Sequence, residues 1–160
     1  MPVDQYDYLA QDEEGTRLLA QQLVAVLPTR LTIGLIGTLG AGKTRLVQAI
    51  AAAVGIDPES VTSPTFVLCQ HYHGRQTIFH MDAYRLSDID EFIELGADEY
   101  FDADGWTLVE WSDRVAPAMP LDRIDISIEI TGEHQRQFHL VAHGEAARAA
   151  LRRLAELARS

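Results

Sequence analysis

Gly37-Thr38-Leu39-Gly40-Ala41-Gly42-Lys43-Thr44 fits the pattern G-x-x-x-x-G-K-[ST], and residues of these types at this spacing are suited to holding a phosphate chain and its counter-ion. Glycines let the backbone wrap an anion, so that successive N–H groups and a helix N-terminus face it. The Lys43 ammonium would meet the β- and γ-phosphates, and the Thr44 hydroxyl would hold Mg²⁺. Nucleotide contacts are therefore expected along Thr38, Leu39, Gly40, Ala41, Gly42, Lys43, Thr44 and Arg45. Of thirteen basic residues twelve are arginine, and Lys43 is the only lysine. A bias toward arginine stops at the position where a compact ammonium serves and a planar fork does not.

A phosphate-binding loop does not cleave nucleotide alone. A carboxylate at a neighbouring strand end must steady the ion, and another group must orient the attacking water. Two stretches fit an apolar strand finishing in an acid: Ile78-Phe79-His80-Met81-Asp82 and Leu108-Val109-Glu110. The residues alone leave open which acid meets the metal. Thr65, in the turn Ser63-Pro64-Thr65, offers a hydroxyl of the kind that senses a γ-phosphate, and Trp111 an aromatic that could cover the nucleotide or a partner. Cys69, His71 and His73 alternate and would share one strand face, with His80 nearby; no second pair completes a closed zinc set. Arg85 and Arg114 are candidate phosphate clamps.

The elements that must position these groups follow from periodicity. Leu31 to Ile36 is an apolar run leading into the loop, and Leu46, Val47, Ile50, Ala51 and Val54 recur at helical spacing after it. Upstream, residues 12 to 27 read as a helix with Asp12 as N-cap, Glu13 and Glu14 in the first turn and a stripe of Leu18, Leu19, Leu23, Val26 and Leu27. Downstream, Val67 to Tyr72 and Thr77 to Met81 read as strands joined by the turn His73-Gly74-Arg75-Gln76. Asp88 or Asp90 caps a short helix stopped by Gly96, and Trp106 to Val109 reads as a buried strand. Pro117 and Pro120 mark a loop. Ile124, Ile126, Ile128 and Ile130 line one face of a strand paired with Gln137 to Val141, and Glu145 to Ala158 forms an outer helix carrying Ala147, Ala150, Leu151, Leu154 and Leu157. Intermixed strands and helices imply an α/β fold, a three-layer α/β/α sandwich with a mixed sheet of the P-loop NTPase type. Ligands in such sheets sit beyond the carboxyl ends of the strands, where Gly37, Asp82 and Glu110 would converge if their strands are parallel.

At 160 residues the chain is expected to form one domain, 1–160, and its composition, 47% hydrophobic and 23% charged, is that of a globular protein. There is no internal repeat, low-complexity segment or linker, no apolar run of membrane-spanning length, and no basic start followed by an apolar segment. The single cysteine excludes a disulfide framework within the chain, and a reducing cytoplasm is the expected compartment. A formal charge of −11 speaks against a surface that grips nucleic acid strongly and directly. Nine acids from Asp82 to Asp104 face only Arg85, which reads as a solvated face or a docking surface for a basic protein.

The series Gly37 to Thr44, Ser63-Pro64-Thr65-Phe66, His80-Met81-Asp82-Ala83-Tyr84-Arg85-Leu86, Gly96 and Val109-Glu110-Trp111 resembles the TsaE family, formerly YjeE. The resemblance runs from about the first helix to the final strands. It implies a P-loop ATPase of bacterial tRNA threonylcarbamoyladenosine biosynthesis that uses ATP and Mg²⁺. Its implied partners are TsaD and TsaB, which modify adenosine 37 of ANN-decoding tRNAs and which ATP hydrolysis would reset between turnovers. It implies Lys43 and Thr44 at phosphate and Mg²⁺, Glu110 as the metal-side acid, and Asp82 as a catalytic acid or water positioner. Thr65 would be switch-like and Trp111 a site-edge aromatic. Thr38 stands where the family commonly has an acid, and Arg45 where threonine is frequent. A small-molecule kinase would need lid arginines, for which the middle of the chain offers only Arg75, Arg85 and Arg114; a GTPase reading guanine through Asn-Lys-x-Asp is excluded because the chain has no asparagine.

Overall fold

In the computed structural model, which describes residues 4–62, 69–84, 86 and 88–159, the first element is one that the sequence reading leaves out. Gln5–Ala10 is a strand, β1, whose Tyr6, Tyr8 and Ala10 turn inward while Gln5, Asp7 and Leu9 are exposed. Glu13–Val26 forms α1, capped by the Asp12 carboxylate, which accepts from the Gly15 N–H at 3.0 Å. Leu19, Ala20, Leu23 and Val26 are its buried face; Leu18, expected in that stripe, is exposed, because Ala20 completes the face instead.

Leu31–Ile36 is β2 and Lys43–Ala53 is α2, the loop between them spanning residues 37–42. After a 3₁₀ turn at Pro58–Ser60 come β3, Cys69–His73, and β4, Thr77–Asp82, an antiparallel pair closed through Gly74, Arg75 and Gln76. Thr65 and the rest of 63–68, together with Arg85, lie outside the described residues. Asp88 caps α3, Ile89–Glu94, by accepting from the Glu91 N–H at 2.9 Å, and Gly96 at φ 80° ends that turn and begins α4, Ala97–Asp102. The sequence reading leaves out α4, since Ala97-Asp98-Glu99-Tyr100-Phe101-Asp102 is too short for helical periodicity to emerge.

Trp106–Glu110 is β5, and the region expected as a proline-marked loop opens with a 3₁₀ segment, Ser112–Ala118, that includes Pro117. Arg123–Ile130 is β6, Arg136–His143 is β7 and Glu145–Arg159 is α5. Ile124, Ile126 and Ile128 are buried as the alternation requires; Ile130 is exposed because β6 has run past the core by that point, and Leu157 is likewise exposed in the last turns of α5.

Among the described residues the seven strands form one sheet in the order β1-β7-β6-β2-β5-β4-β3. The central four, β6, β2, β5 and β4, are parallel, and the strands beyond them are antiparallel to their neighbours at β7 and β3. β2 and β5 are covered on both faces, which is why Leu31-Thr32-Ile33-Gly34-Leu35-Ile36 reads as a continuous run and not as an alternation. One core packs α1, α2 and α5 against Leu31, Ile33, Leu35, Leu108, Ile124 and Phe138. The second, on the other face, packs Phe92 of α3, Ala97 of α4 and Val115 against Met81 and Val109. Fully buried leucines such as Leu151 and Leu154 on α5 each contribute roughly 1.5–3 kcal/mol.

This parallel register brings the site together. Leu35 pairs with Glu110, and Glu110 pairs with Asp82, so the carboxyl ends of β2, β5 and β4 finish side by side.

Candidate active site

The loop from β2 to α2 is shaped by three glycines. Gly42 stands before α2 at φ 112° and Gly40 at φ 80°, both conformations costly for any other residue. Gly37 is constrained by proximity: a Cβ there would lie 2.7 Å from the Ile128 carbonyl oxygen and 3.1 Å from the Ala41 Cβ. The obstacle is backbone of β6, which cannot swing aside. Gly37→Ala is therefore expected to lower folding stability by about 1–3 kcal/mol, read from the denaturant midpoint, as overpacking does. Arg136 of β7 supports the loop from outside by donating from Nε to the Ala41 carbonyl at 3.0 Å.

Lys43 begins α2 and is nearly completely buried. Its Nζ donates to the carbonyls of Gly37 at 2.7 Å and Thr38 at 3.0 Å and lies 4.0 Å from the centre of the Trp111 ring. Burial lowers its pKa from the ordinary lysine value, opposed by the charges of Glu110, Asp82 and Asp113. The Thr44 hydroxyl is 2.9 Å from both carboxylate oxygens of Glu110. Period-2 alternation aims Glu110 at α2, on the face shared with Trp106 and Leu108.

Asp82 closes β4 beside Glu110, and its Oδ1 accepts from the Tyr84 N–H at 2.8 Å. Burial raises its pKa, the Glu110 charge adds to this, and the Tyr84 N–H, His80 and Lys43 hold it back. Glu110 is tied by its backbone as well: its carbonyl accepts from the Ala83 N–H at 2.9 Å, and the next N–H, that of Trp111, donates to Leu35 at 2.8 Å. Among the described residues Trp111 is the one non-glycine with a positive φ, 59°, a strain of about 1–3 kcal/mol. That turn redirects the chain so that the indole covers Lys43 and packs 4.8 Å from the Tyr84 ring, over which Arg114 lies at 5.6 Å.

The structure thus gathers Lys43, Thr44, Asp82, Glu110 and Trp111. Thr38 and Leu39 form the exposed rim of the loop, and Arg45 is turned outward toward Glu13, 3.4 Å away. Beside the loop, a groove of about 220 Å³ runs along Gly40, Ala41 and Gly42 and is walled by Asp12, Arg45, His134 and Arg136. The oxygen set of Thr44 and Glu110 is hard and compact, as Mg²⁺ requires, and Lys43 supplies a cation beside it for phosphate.

The Cys69, His71 and His73 face does not join this site. Cys69 pairs with Met81 and His71 with Phe79 on the opposite side of the sheet, so His80 lies on the other face from them, contrary to expectation. His71 meets the Phe79 and Tyr100 rings edge-on at 5.2 and 5.3 Å, and burial pushes the Cys69 thiol up to about 11. Among the described residues no three His, Cys, Asp or Glu side chains cluster to hold a metal. Sequence reasoning missed two residues at the site: Arg136, which carries no local signal, and His80, which does. His80 lies two positions before Asp82, so alternation alone puts both on the face that Glu110 occupies.

The family model described as threonylcarbamoyl adenosine biosynthesis protein TsaE matches residues 10–138. Similar proteins include the tRNA threonylcarbamoyladenosine biosynthesis protein TsaE of Treponema pallidum, 40% identical over 76% of this chain and 83% of that one. The protein of the same name from Bacillus subtilis is 36% identical over 82% of each chain. Among solved structures, that of Bacillus subtilis YdiB superposes with a TM-score of 0.81 at 29% identity, covering 98% of this chain and 97% of that one.

Proposed function

The chain belongs to the TsaE family of tRNA threonylcarbamoyladenosine biosynthesis, and from that premise we propose that it is a Mg²⁺-dependent ATPase of the modification machinery, hydrolysing ATP to support turnover by TsaD and TsaB. The observation that carries the reading is the Thr44 hydroxyl seated 2.9 Å from both Glu110 oxygens at the mouth of the glycine loop, with Lys43 on one side and Asp82 on the other.

Each residue has a task that follows from its chemistry. The loop N–H groups and the α2 N-terminus receive the phosphate chain. Lys43 exchanges the Gly37 and Thr38 carbonyls for β- and γ-phosphate oxygens, a stronger charge-assisted partner for an ammonium that burial already discourages from being charged. Thr44 and Glu110 would hold Mg²⁺, which when bound neutralises charge on the β- and γ-phosphates. Asp82, one strand further on, positions the attacking water and accepts its hydrogen bond; a pKa raised by burial makes it a better base than a surface aspartate. Trp111 shields Lys43 from bulk water. The groove beside Gly40 to Gly42 would take the nucleoside, against His134 and Arg136.

Of the arginines a kinase lid would need, Arg75 is placed away from the site. Arg75 sits in the β3–β4 turn, at the opposite end of β4 from Asp82, and bonds the Ala53 carbonyl at 2.5 Å. Nor is any helix among the described residues long and apolar enough to cross a membrane.

ATP turnover measured with the chain alone and with TsaB and TsaD added tests the proposal. Stimulation by the pair is expected, and its absence would remove the partner-dependent role. Thr44→Ala is expected to leave Mg²⁺-free nucleotide binding intact while raising the Mg²⁺ concentration for half-maximal turnover by about tenfold or more, since even outer-shell partners of a metal are worth that much. An unchanged Mg²⁺ profile would place the ion elsewhere.

A further inference from the structure

The mechanism above leaves one completely buried ionisable side chain without a task. His80 has no exposed surface, and its Nε2 lies 2.5 Å from Oε2 of Glu110. The Thr44 hydroxyl approaches the same carboxylate from α2, so Glu110 is held between a helix on one side and an imidazole on the other. Behind the ring, the Tyr72 hydroxyl of β3 stands 3.5 Å from Nδ1 and is itself bonded to Gln70. The imidazole is therefore braced by the edge strand while it touches the acid.

With Glu110 ionised, the proton in this contact must sit on Nε2, because a carboxylate has none to give. Resting on the reading of Thr44 and Glu110 as the cation site, we propose that His80 is a positioning residue. By donating from Nε2 to Oε2 it fixes the rotation of the Glu110 carboxylate and keeps Oε1 presented beside the Thr44 hydroxyl for a hard divalent cation carried by the nucleotide. The arrangement has the logic of an outer-shell ligand, in which a hydrogen-bonded neighbour orients a metal-binding oxygen without touching the metal. An apolar side chain would fill the same volume between β3 and β5, but it would leave the two Glu110 oxygens to share the single proton of the Thr44 hydroxyl, with the buried Oε2 deprived of its own donor. The neighbouring face position, Asp82, cannot substitute: it carries no donor when ionised.

The test uses the full chain and ADP, with Mg²⁺ titrated in calorimetry, in wild type, His80→Leu and His80→Gln. The Leu variant is expected to bind Mg²⁺-free ADP as wild type does, yet to need about tenfold or more Mg²⁺ to reach the tight state. Gln, whose amide N–H reaches close to the position of Nε2, is expected to recover most of the difference. Equal weakening with and without Mg²⁺ would make His80 a core filler and overturn the proposal, as would an unchanged Mg²⁺ requirement in His80→Leu or a Gln variant no better than Leu. A wild-type protein whose ADP binding ignores Mg²⁺ would instead sink the cation site itself, and this inference with it. ¹⁵N spectra of the histidines in wild-type protein need no variant to fold: a proton on Nε2 of His80 whose resonance moves with MgADP and not with ADP alone is expected, and a ring protonated only at Nδ1 overturns the proposal.

Discussion

Lys43→Ala is expected to lose nucleotide affinity and turnover together. In the folded protein the ammonium is buried, bonded to two loop carbonyls and covered by Trp111, so nothing else in the sequence can replace it; the chain has no second lysine. One charge-assisted contact to phosphate is worth about 1.5–3 kcal/mol, which is roughly 10- to 150-fold in affinity. Turnover should fall further, by about 10²- to 10³-fold, because charge on the transferred group grows as the bond breaks. Lys43→Arg should rescue little, since a planar fork cannot occupy the space of a point charge between two carbonyls and an indole. Wild-type affinity for MgATP in the alanine variant, measured by calorimetry, would show that the loop does not hold the phosphates.

Asp82→Asn should separate binding from chemistry in the opposite way. The amide keeps the size of the side chain and an oxygen able to accept from the Tyr84 N–H, so the end of β4 need not move. What disappears is the negative charge that would draw a proton from water beside the γ-phosphate. Loss of a general base costs about 10²- to 10⁴-fold, and kcat should fall in that range while MgATP affinity stays near wild type. Single-turnover measurement distinguishes this from slow product release. Turnover retained in Asp82→Asn would assign water activation to another group, and loss of binding would move Asp82 to the cation.

These outcomes rest on residues of very different legibility. Lys43 and Thr44 could be read directly because a phosphate loop packs its chemistry into eight consecutive positions. Asp82 and Glu110 needed one further step, that an acid ending an apolar run stands at a strand's carboxyl end. It was the parallel register of β2, β5 and β4 that turned two such ends into neighbours. His80 was visible only as one more histidine near Cys69, because alternation assigns a face but not a partner. The partner lies thirty positions away, on a strand whose adjacency no local pattern encodes. β1 was missed for a related reason: six residues with two tyrosines become a strand by pairing with β7, at the far end of the chain. The capped helices, in contrast, are legible at Asp12 and at the pair Asp88 and Asp90, of which Asp88 is the cap, since a cap is a contact within one turn.

A crystal structure of the chain with a non-hydrolysable ATP analogue and Mg²⁺ tests the central claim most directly. The β- and γ-phosphates are expected along Gly40 to Lys43, with Mg²⁺ about 2.1 Å from Thr44 Oγ1. Glu110 should lie on the ion's protein side and Asp82 within reach of a water in line with the γ-phosphate. A triphosphate seated away from the glycine loop, or an ion with neither Thr44 nor Glu110 beside it, would contradict the account.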